Sequence, residues 1–526
     1  MSNITRKRRK TNKQTRKKCP PYAQLPATAM YLRTAKNYMK TKTHSGKSPK
    51  SKTKKLSYKF PKKQQSSAKA FSKVRKDLIG DHSPMRNMIT FVTVKGDKYQ
   101  DKIMHDMRNV NFIDTEVYSK VKKMEQEMVR MMGNLFHDPD HKNTKGISTI
   151  GSSEAIYVSS ILHKFKWEER NNKSAPTALN AIYSFNTHVN WDKATRWNYI
   201  KGQKILPLPN QPDTYIFGAK EVEKRINKYT TCVICTLGTT RTGQNDKIKE
   251  INDFLMKYHK RTGIFVPIHI DAAIGGFVTP FLKPNLEWDF RLPHVKSANV
   301  SFHKFGGTYA GMGMCVVKSD YALPEKFRFS FNVEKTASSL DKDMKSAKSV
   351  NFLADPHTHE SHALTKIDKD TMRREGIGGD FDGSLDDWYI NFSKPASQIV
   401  TAYYLFNKLG FEGYKKRMQS CLRSANYVSD YVNSIKSTHT PNKSVFTQVN
   451  EPYYPEVAFK LDDDTFPLQE ILSELQNKNG WTVAAYNMDP SVPDIVMRFV
   501  IKPNMTLNDA KTFVRELRQI VEKLYK

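Results

Sequence analysis

Thr231-Cys232-Val233-Ile234-Cys235-Thr236-Leu237 is a continuous β-branched and apolar run, the composition of a strand covered on both faces. Turn residues occupy 238–243, and Ile248, Ile251, Phe254, Leu255 and Tyr258 then fall at helical spacing. A second apolar run, Ile264-Phe265-Val266-Pro267-Ile268-His269-Ile270, follows and ends in Asp271. Strand, helix, strand in that order joins two parallel strands by a crossover. The spacing therefore predicts an α/β protein with a large, mostly parallel sheet and helices on both faces. An acid just past a buried strand stands where such sheets present ligand-binding groups.

Toward the C-terminus, Thr506-Leu507-Asn508-Asp509 has the pattern of a capping box. Ala510, Phe513, Val514, Leu517, Ile520, Val521 and Leu524 then mark one apolar helical face. That helix is expected to pack in a smaller α+β C-terminal domain.

Charge divides the 526-residue chain unevenly. Its 86 Lys+Arg and 52 Asp+Glu leave a net +34, yet residues 1–76 hold 25 of the bases and no acid, the first being Asp77. The rest carries 61 bases against 52 acids, a net of only +9. Few large apolar residues interrupt the basic stretch, so it cannot bury enough surface to offset its chain entropy, and residues 1–77 are expected to be a disordered tail. Such a tail is either an electrostatic tether for nucleic acid or another polyanion, or a solvated extension without a dedicated ligand. No run of about 18 apolar residues occurs, so no membrane span is expected, and the basic, polar start lacks the apolar core of a secretory signal. Five cysteines suit a reducing compartment. The expected location is intracellular and cytoplasmic, with a nuclear or particle-associated placement through the tail as the variant.

Four stretches carry the chemistry. They are Gly151-Ser152-Ser153-Glu154-Ala155, His188 within Asn186-Thr187-His188-Val189-Asn190-Trp191, the run from His269 through Trp288-Asp289-Phe290-Arg291-Leu292-Pro293, and Ser301-Phe302-His303-Lys304-Phe305-Gly306. In this order they resemble the group II pyridoxal-phosphate-dependent amino-acid decarboxylases, and most closely the bacterial-type glutamate decarboxylases. The likeness runs from about residue 84 to the C-terminus. It implies a fold-type I, pyridoxal-phosphate-dependent transferase-like architecture with bound pyridoxal 5'-phosphate. Domains would fall at 78–145 (dimer and substrate site), 146–410 (cofactor domain) and 411–526 (small domain), the active site lying at an interface of a homodimer or higher homo-oligomer.

The resemblance also implies roles. Lys304 would be the Schiff-base lysine, a nucleophile because its site is desolvated. Asp271 would hold the proton on the cofactor's ring nitrogen, and His188 would stack on that ring. Ser152 and Ser153 at a helix start would bind the phosphate. Thr240, Ser301 and His303 would add cofactor contacts, and Ser393 would reach the phosphate from the facing subunit. Arg498 matches the arginine that grips the α-carboxylate, while Thr90, Phe91, Asn111 and Asp114 match elements recognising the distal carboxylate. The implied reaction is removal of the α-carboxylate of an acidic amino acid, L-glutamate to 4-aminobutyrate. Aspartate decarboxylation is the enzymatic alternative, and a non-catalytic protein of this fold binding nucleic acid through its tail is the other.

Two clusters invite metal readings. Cys232 and Cys235 sit three apart on a strand and so point to opposite faces, which favours core thiols over a redox or zinc pair. His357, His359 and His362 lie in a polar, loop-like stretch, and no metal is expected there. The likeness breaks at an insert of residues 335–382, where Lys335 stands at the place of a lid tyrosine and Gly376, Gly378 and Gly379 suggest a hinge.

Overall fold

Seven strands, β1 (Lys145–Thr149), β2 (Asn180–Ser184), β3 (Lys201–Ile205), β4 (Thr230–Thr236), β5 (Ile268–Asp271), β6 (Val295–Ser301) and β7 (Gly313–Val317), form one sheet in the order β1-β7-β6-β5-β4-β2-β3. The neighbours from β3 through β6 pair in parallel, and β7 runs antiparallel to both β6 and β1. The expected mostly parallel sheet is present, with one reversed strand. This computed structural model describes residues 60–525 apart from 79–80, 82, 94, 114–116, 173–177, 208–213, 328–387, 392 and 441. Asp114, the histidines at 357, 359 and 362, and the insert of residues 335–382 with Lys335 and its glycines lie outside the described residues.

Helices cover both faces. On one side α1 (Ser119–Leu135) and α4 (Ile248–Thr262) pack on Val233, Cys235 and Ile270; on the other α2 (Ser152–Asn171) and α3 (Asn190–Trp197) pack on Cys232 and Ile234. All seven residues of β4 are buried, as a strand between two helical layers requires. Cys232 and Cys235 thus enter different apolar clusters, and burial pushes the Cys232 thiol up to about 12. They are core residues. The second apolar run enters the sheet only at Ile268, because Pro267 has no N–H to give a ladder. Its carbonyl still accepts from Val233 N at 3.0 Å.

The C-terminal part combines α5 (Ser397–Ser434), strands β8 (Phe446–Gln448), β9 (Glu456–Leu461), β10 (Ala484–Asp489) and β11 (Val492–Val500), and α6 (Leu507–Leu524). The four strands make an antiparallel sheet in the order β10-β11-β9-β8. Thr506 and Asp509 cap α6 reciprocally, and Ala510, Phe513, Val514, Leu517, Ile520 and Val521 are buried against Val457, Phe459 and Phe499. The α+β expectation holds.

Gly80–Lys526 is one unit and Met1–Ile79 another. Of the tail expected to be disordered, residues 1–59 lie outside the described residues, and Ser67–Asp77 is a helix, which corrects the expectation there. The Ser66 side chain accepts from Lys69 N, and Lys73 pairs with Asp77 one turn on. None of its residues is buried, so these local devices support it. No helix among the described residues is long and apolar enough to cross a membrane.

Candidate active site

The carboxyl ends of the parallel strands carry the chemistry. Asp271 ends β5, Ser301 ends β6, and the turn Phe302–Gly306 that follows carries His303 and Lys304. Open α/β sheets present ligand groups at this edge because the chain leaves the sheet there.

Asp271 is 2% exposed and held on both oxygens. Trp191 Nε1 donates to one at 3.0 Å, and Asn299 Nδ2 donates to the other at 2.9 Å. Behind Asn299 runs a buried chain: His269 Nε2 contacts Asn299 Oδ1 at 2.8 Å, His269 Nδ1 contacts Ser297 Oγ at 2.7 Å, and His163 Nε2 contacts the same hydroxyl at 2.8 Å. Tyr321 and the exposed Arg170 continue it. Burial pushes both histidines below their usual range, His269 to about 4, so each imidazole is neutral, with one donor and one acceptor. Every link is then satisfied by one proton arrangement, which fixes the carboxylate of Asp271 in place.

Lys304 is pushed down to about 8, first by burial, while the charges of Asp271 and Glu456 pull the other way and Arg498 adds to the depression. The amine therefore keeps roughly a tenth of its population unprotonated near neutral pH, far more than an ordinary lysine, as a nucleophile needs. Thr93 anchors the segment, donating from Oγ1 to Lys304 O at 2.8 Å and from N to His303 O at 2.7 Å. His303 lies 2.8 Å from Met312 O through Nδ1, so that nitrogen carries the proton. Burial holds its pKa at about 4. Burial likewise lowers His188 despite the opposing charge of Asp271, leaving a neutral, half-buried ring suited to stacking.

Gly151 precedes α2 with φ of 150°, and a Cβ there would stand 3.1 Å from His303 Cε1. Only glycine lets the helix start and the His303 ring come this close. Ser152 Oγ lies 2.5 Å from Ser301 Oγ, and the exposed Ser153 accepts from Asn190 Nδ2. The start of a 20-residue helix with two hydroxyls beside it is chemistry for a phosphate.

Phe91 lies beneath two cations. Lys304 Nζ is 5.1 Å from its ring centroid and Arg498 Cζ is 4.9 Å from it. Arg498, 1% exposed, donates to the carbonyls of Thr240 and Ile89. Thr240 thus meets Arg498 through its backbone, and Thr90 is exposed next to that contact. Glu456 stands 3.8 Å from Arg498 and is 0% exposed. Burial raises it to about 8 against the pull of Arg498 and Lys304. Asn111 sits elsewhere in the chain's contacts: its Oδ1 accepts from Lys394 N at 3.2 Å, and it bridges Pro395, beside the exposed Ser393. Lys394 turns inward to Ser148.

Sequence reasoning missed Glu456, Asn299, Trp191 as a donor, and Thr93. The signal for Glu456 was present, a single acid within the otherwise uncharged Tyr453-Tyr454-Pro455-Glu456-Val457-Ala458-Phe459.

A desolvated lysine, a doubly held buried carboxylate, a neutral half-buried imidazole and a glycine-serine helix start define a site for an aldehyde cofactor with a basic ring nitrogen and a phosphate. These residues fit pyridoxal 5'-phosphate: Lys304 would take its aldehyde, Asp271 its ring nitrogen, and Ser152 and Ser153 its phosphate. Residues 59–352, more than half of the chain, match the pyridoxal-dependent decarboxylase conserved domain. The chain belongs to the pyridoxal-dependent decarboxylase family, whose cofactor is pyridoxal phosphate. It is 31% identical to a glutamate decarboxylase of Solanum lycopersicum over 472 residues, covering 89% of this chain and 83% of the relative. A glutamate decarboxylase of Aliivibrio fischeri is 31% identical over 471 residues, with 88% and 89% covered. Among solved structures, a Lactobacillus brevis glutamate decarboxylase superposes with a TM-score of 0.73 at 25% identity, over 89% of this chain and 95% of that one. A tryptophan decarboxylase of Catharanthus roseus shares the fold, with a TM-score of 0.68 at 15% identity over 95% and 97%.

Proposed function

We propose that the protein removes the α-carboxylate of L-glutamate, releasing carbon dioxide and 4-aminobutyrate. The observation that carries this is the placement of Lys304 and the buried Arg498 over one face-defining ring, Phe91, at 5.1 and 4.9 Å. An amino acid whose nitrogen takes the place of the Lys304 amine would have its carboxylate within the field of Arg498, and orienting that bond is what the site must do. Bound pyridoxal phosphate supplies the electron sink for the cleaved bond. Asp271, fixed by Trp191 and Asn299, holds the proton at the ring nitrogen; Lys304 supplies the amine; and Arg498 orients the carboxylate. The relatives named as glutamate decarboxylases support the acidic substrate.

The finer assignments belong to the same proposal. Ser152, Ser153, His188, Thr240, Ser301 and His303 contact the cofactor, Thr90 and Phe91 choose the substrate, and Asn111, which lies beside the exposed Ser393, serves with Asp114 and Ser393 at the partner's site in a homodimer. Mixing Lys304→Ala with a Ser393→Trp variant would then restore part of the activity in hybrid dimers, and no restoration would count against a shared site. Residues 1–76 hold the enzyme on a polyanion. Their deletion should abolish salt-sensitive retention on DNA-cellulose with turnover intact; unchanged retention would remove the tether.

The test of the activity is product analysis. Purified, cofactor-loaded protein incubated separately with glutamate, aspartate and tryptophan should yield 4-aminobutyrate from glutamate. Turnover of aspartate or tryptophan with none of glutamate would overturn the substrate assignment.

A further inference from the structure

Glu456 opens β9 and Arg498 lies near the end of β11. The antiparallel register pairs Glu456 with Val500 and Arg498 with Ala458, so the two side chains are diagonal neighbours on one face of the sheet. Their polar groups are incompletely satisfied. Arg498 spends Nη1 on Thr240 O and Nη2 on Ile89 O, and its Nε is buried without a partner. Neither carboxyl oxygen of Glu456 has a hydrogen bond, and the nearer stands 3.8 Å from Arg498 Nη1. Buried donors and acceptors are normally paired, so a cluster of three buried orphans points to a missing ligand. Lys304 shares the Phe91 ring with Arg498.

Chemistry narrows that ligand. An ammonium group would satisfy Glu456 and leave Arg498 Nε bare. A carboxylate would satisfy Arg498, and would satisfy Glu456 only when Glu456 carries a proton to donate. We propose that Glu456 is a substrate-binding residue: it is protonated when the substrate's α-carboxylate docks on Arg498, and it donates that proton in a hydrogen bond to the carboxylate. The proton comes from solvent. This rests on the reading of the protein as a decarboxylase of glutamate.

The surroundings keep Glu456 titratable near neutral pH. Burial favours its neutral form, Arg498 from β11 and Lys304 from the turn after β6 favour its charged form, and Tyr454 adds a phenol held in its own neutral form by burial. Above the ionisation of Glu456, docking requires proton uptake, so affinity for a carboxylate ligand falls about tenfold per pH unit.

Glutarate, a dicarboxylate with no amine to react, is the probe. Its binding to the cofactor-loaded protein is measured by calorimetry from pH 7 to 9 in buffers of different ionisation enthalpy. For the wild type, the dissociation constant should rise with pH, approaching about tenfold per unit once Glu456 ionises, with net proton uptake. Glu456→Gln keeps a donor and cannot ionise; it should bind glutarate with an affinity that is flat with pH and without that uptake. Equal pH dependence in both proteins, pH-independent binding by the wild type, or loss of binding in folded Glu456→Gln would each overturn the role of Glu456 alone. Failure of the wild type to bind glutarate at any pH would overturn that role together with the acidic substrate.

Discussion

Lys304 owes its depressed pKa to surroundings it could not create alone: burial lowers it, and Asp271 and Glu456 only partly restore it. A lysine titrating near 8 predicts that cofactor-free protein captures pyridoxal phosphate with a rate that rises with pH and is half-maximal near 8. An exposed lysine would give a midpoint near about 10.4. Stopped-flow absorbance checks this, and Lys304→Ala should lack the borohydride-sensitive visible band. Much of this site was legible because its groups lie in short local motifs: a helix start, a strand end, a turn. Glu456 stood out as a lone acid in an apolar run, but its partner was not legible, because Arg498 is 42 residues away and meets it only through the pairing of β9 with β11. Asn111 and Ser393 come together beside Lys394 for the same reason, by tertiary placement that no local pattern encodes.

At the scale of elements, period and punctuation carried the reading. The continuous run at Thr231 and the helical spacing from Ile248 became β4 and α4, since burial on two faces and on one face leave different patterns. The reversed direction of β7 was silent in the sequence, because a buried strand looks the same in either orientation. Helix α6 shows both contributions to an element. Its Thr506 cap satisfies an end donor, so Thr506→Ala should cost about 1 kcal/mol. Phe513, buried against Trp481 and Phe499, anchors its apolar face, so Phe513→Ala should cost about 3–5 kcal/mol. Urea denaturation of the two variants distinguishes these magnitudes. Similar losses for both would mean that the helix is held mainly by its end.

For the whole molecule, the charge of +34 reduces to a body of net +9 and an acid-free basic stretch. Inside the body, individual buried charges matter more than the total. Glu125 pays desolvation, but Lys122 and Lys394, with hydrogen bonds from Ser148 and Tyr389, outweigh it and hold the carboxyl at about 2, below its ordinary 4.5. A depressed carboxyl stabilises the fold above its unfolded pKa and loses that contribution as pH falls through the folded one. Glu125→Gln should therefore be less stable than wild type at pH 7 by up to roughly 3 kcal/mol, and the gap should close between pH 4.5 and 2. A gap constant over that range would assign the loss to shape and not to charge.

Position-labelled substrate shows which carboxylate leaves. L-glutamate labelled with carbon-14 at C1 or at C5 is supplied in parallel to the cofactor-loaded protein and to Lys304→Ala, and released carbon dioxide is trapped and counted. Labelled carbon dioxide is expected from the C1 substrate only, with the C5 label retained in 4-aminobutyrate, and no release by Lys304→Ala. Release from C5, equal release by the variant, or no release from either substrate would contradict removal of the α-carboxylate at Lys304.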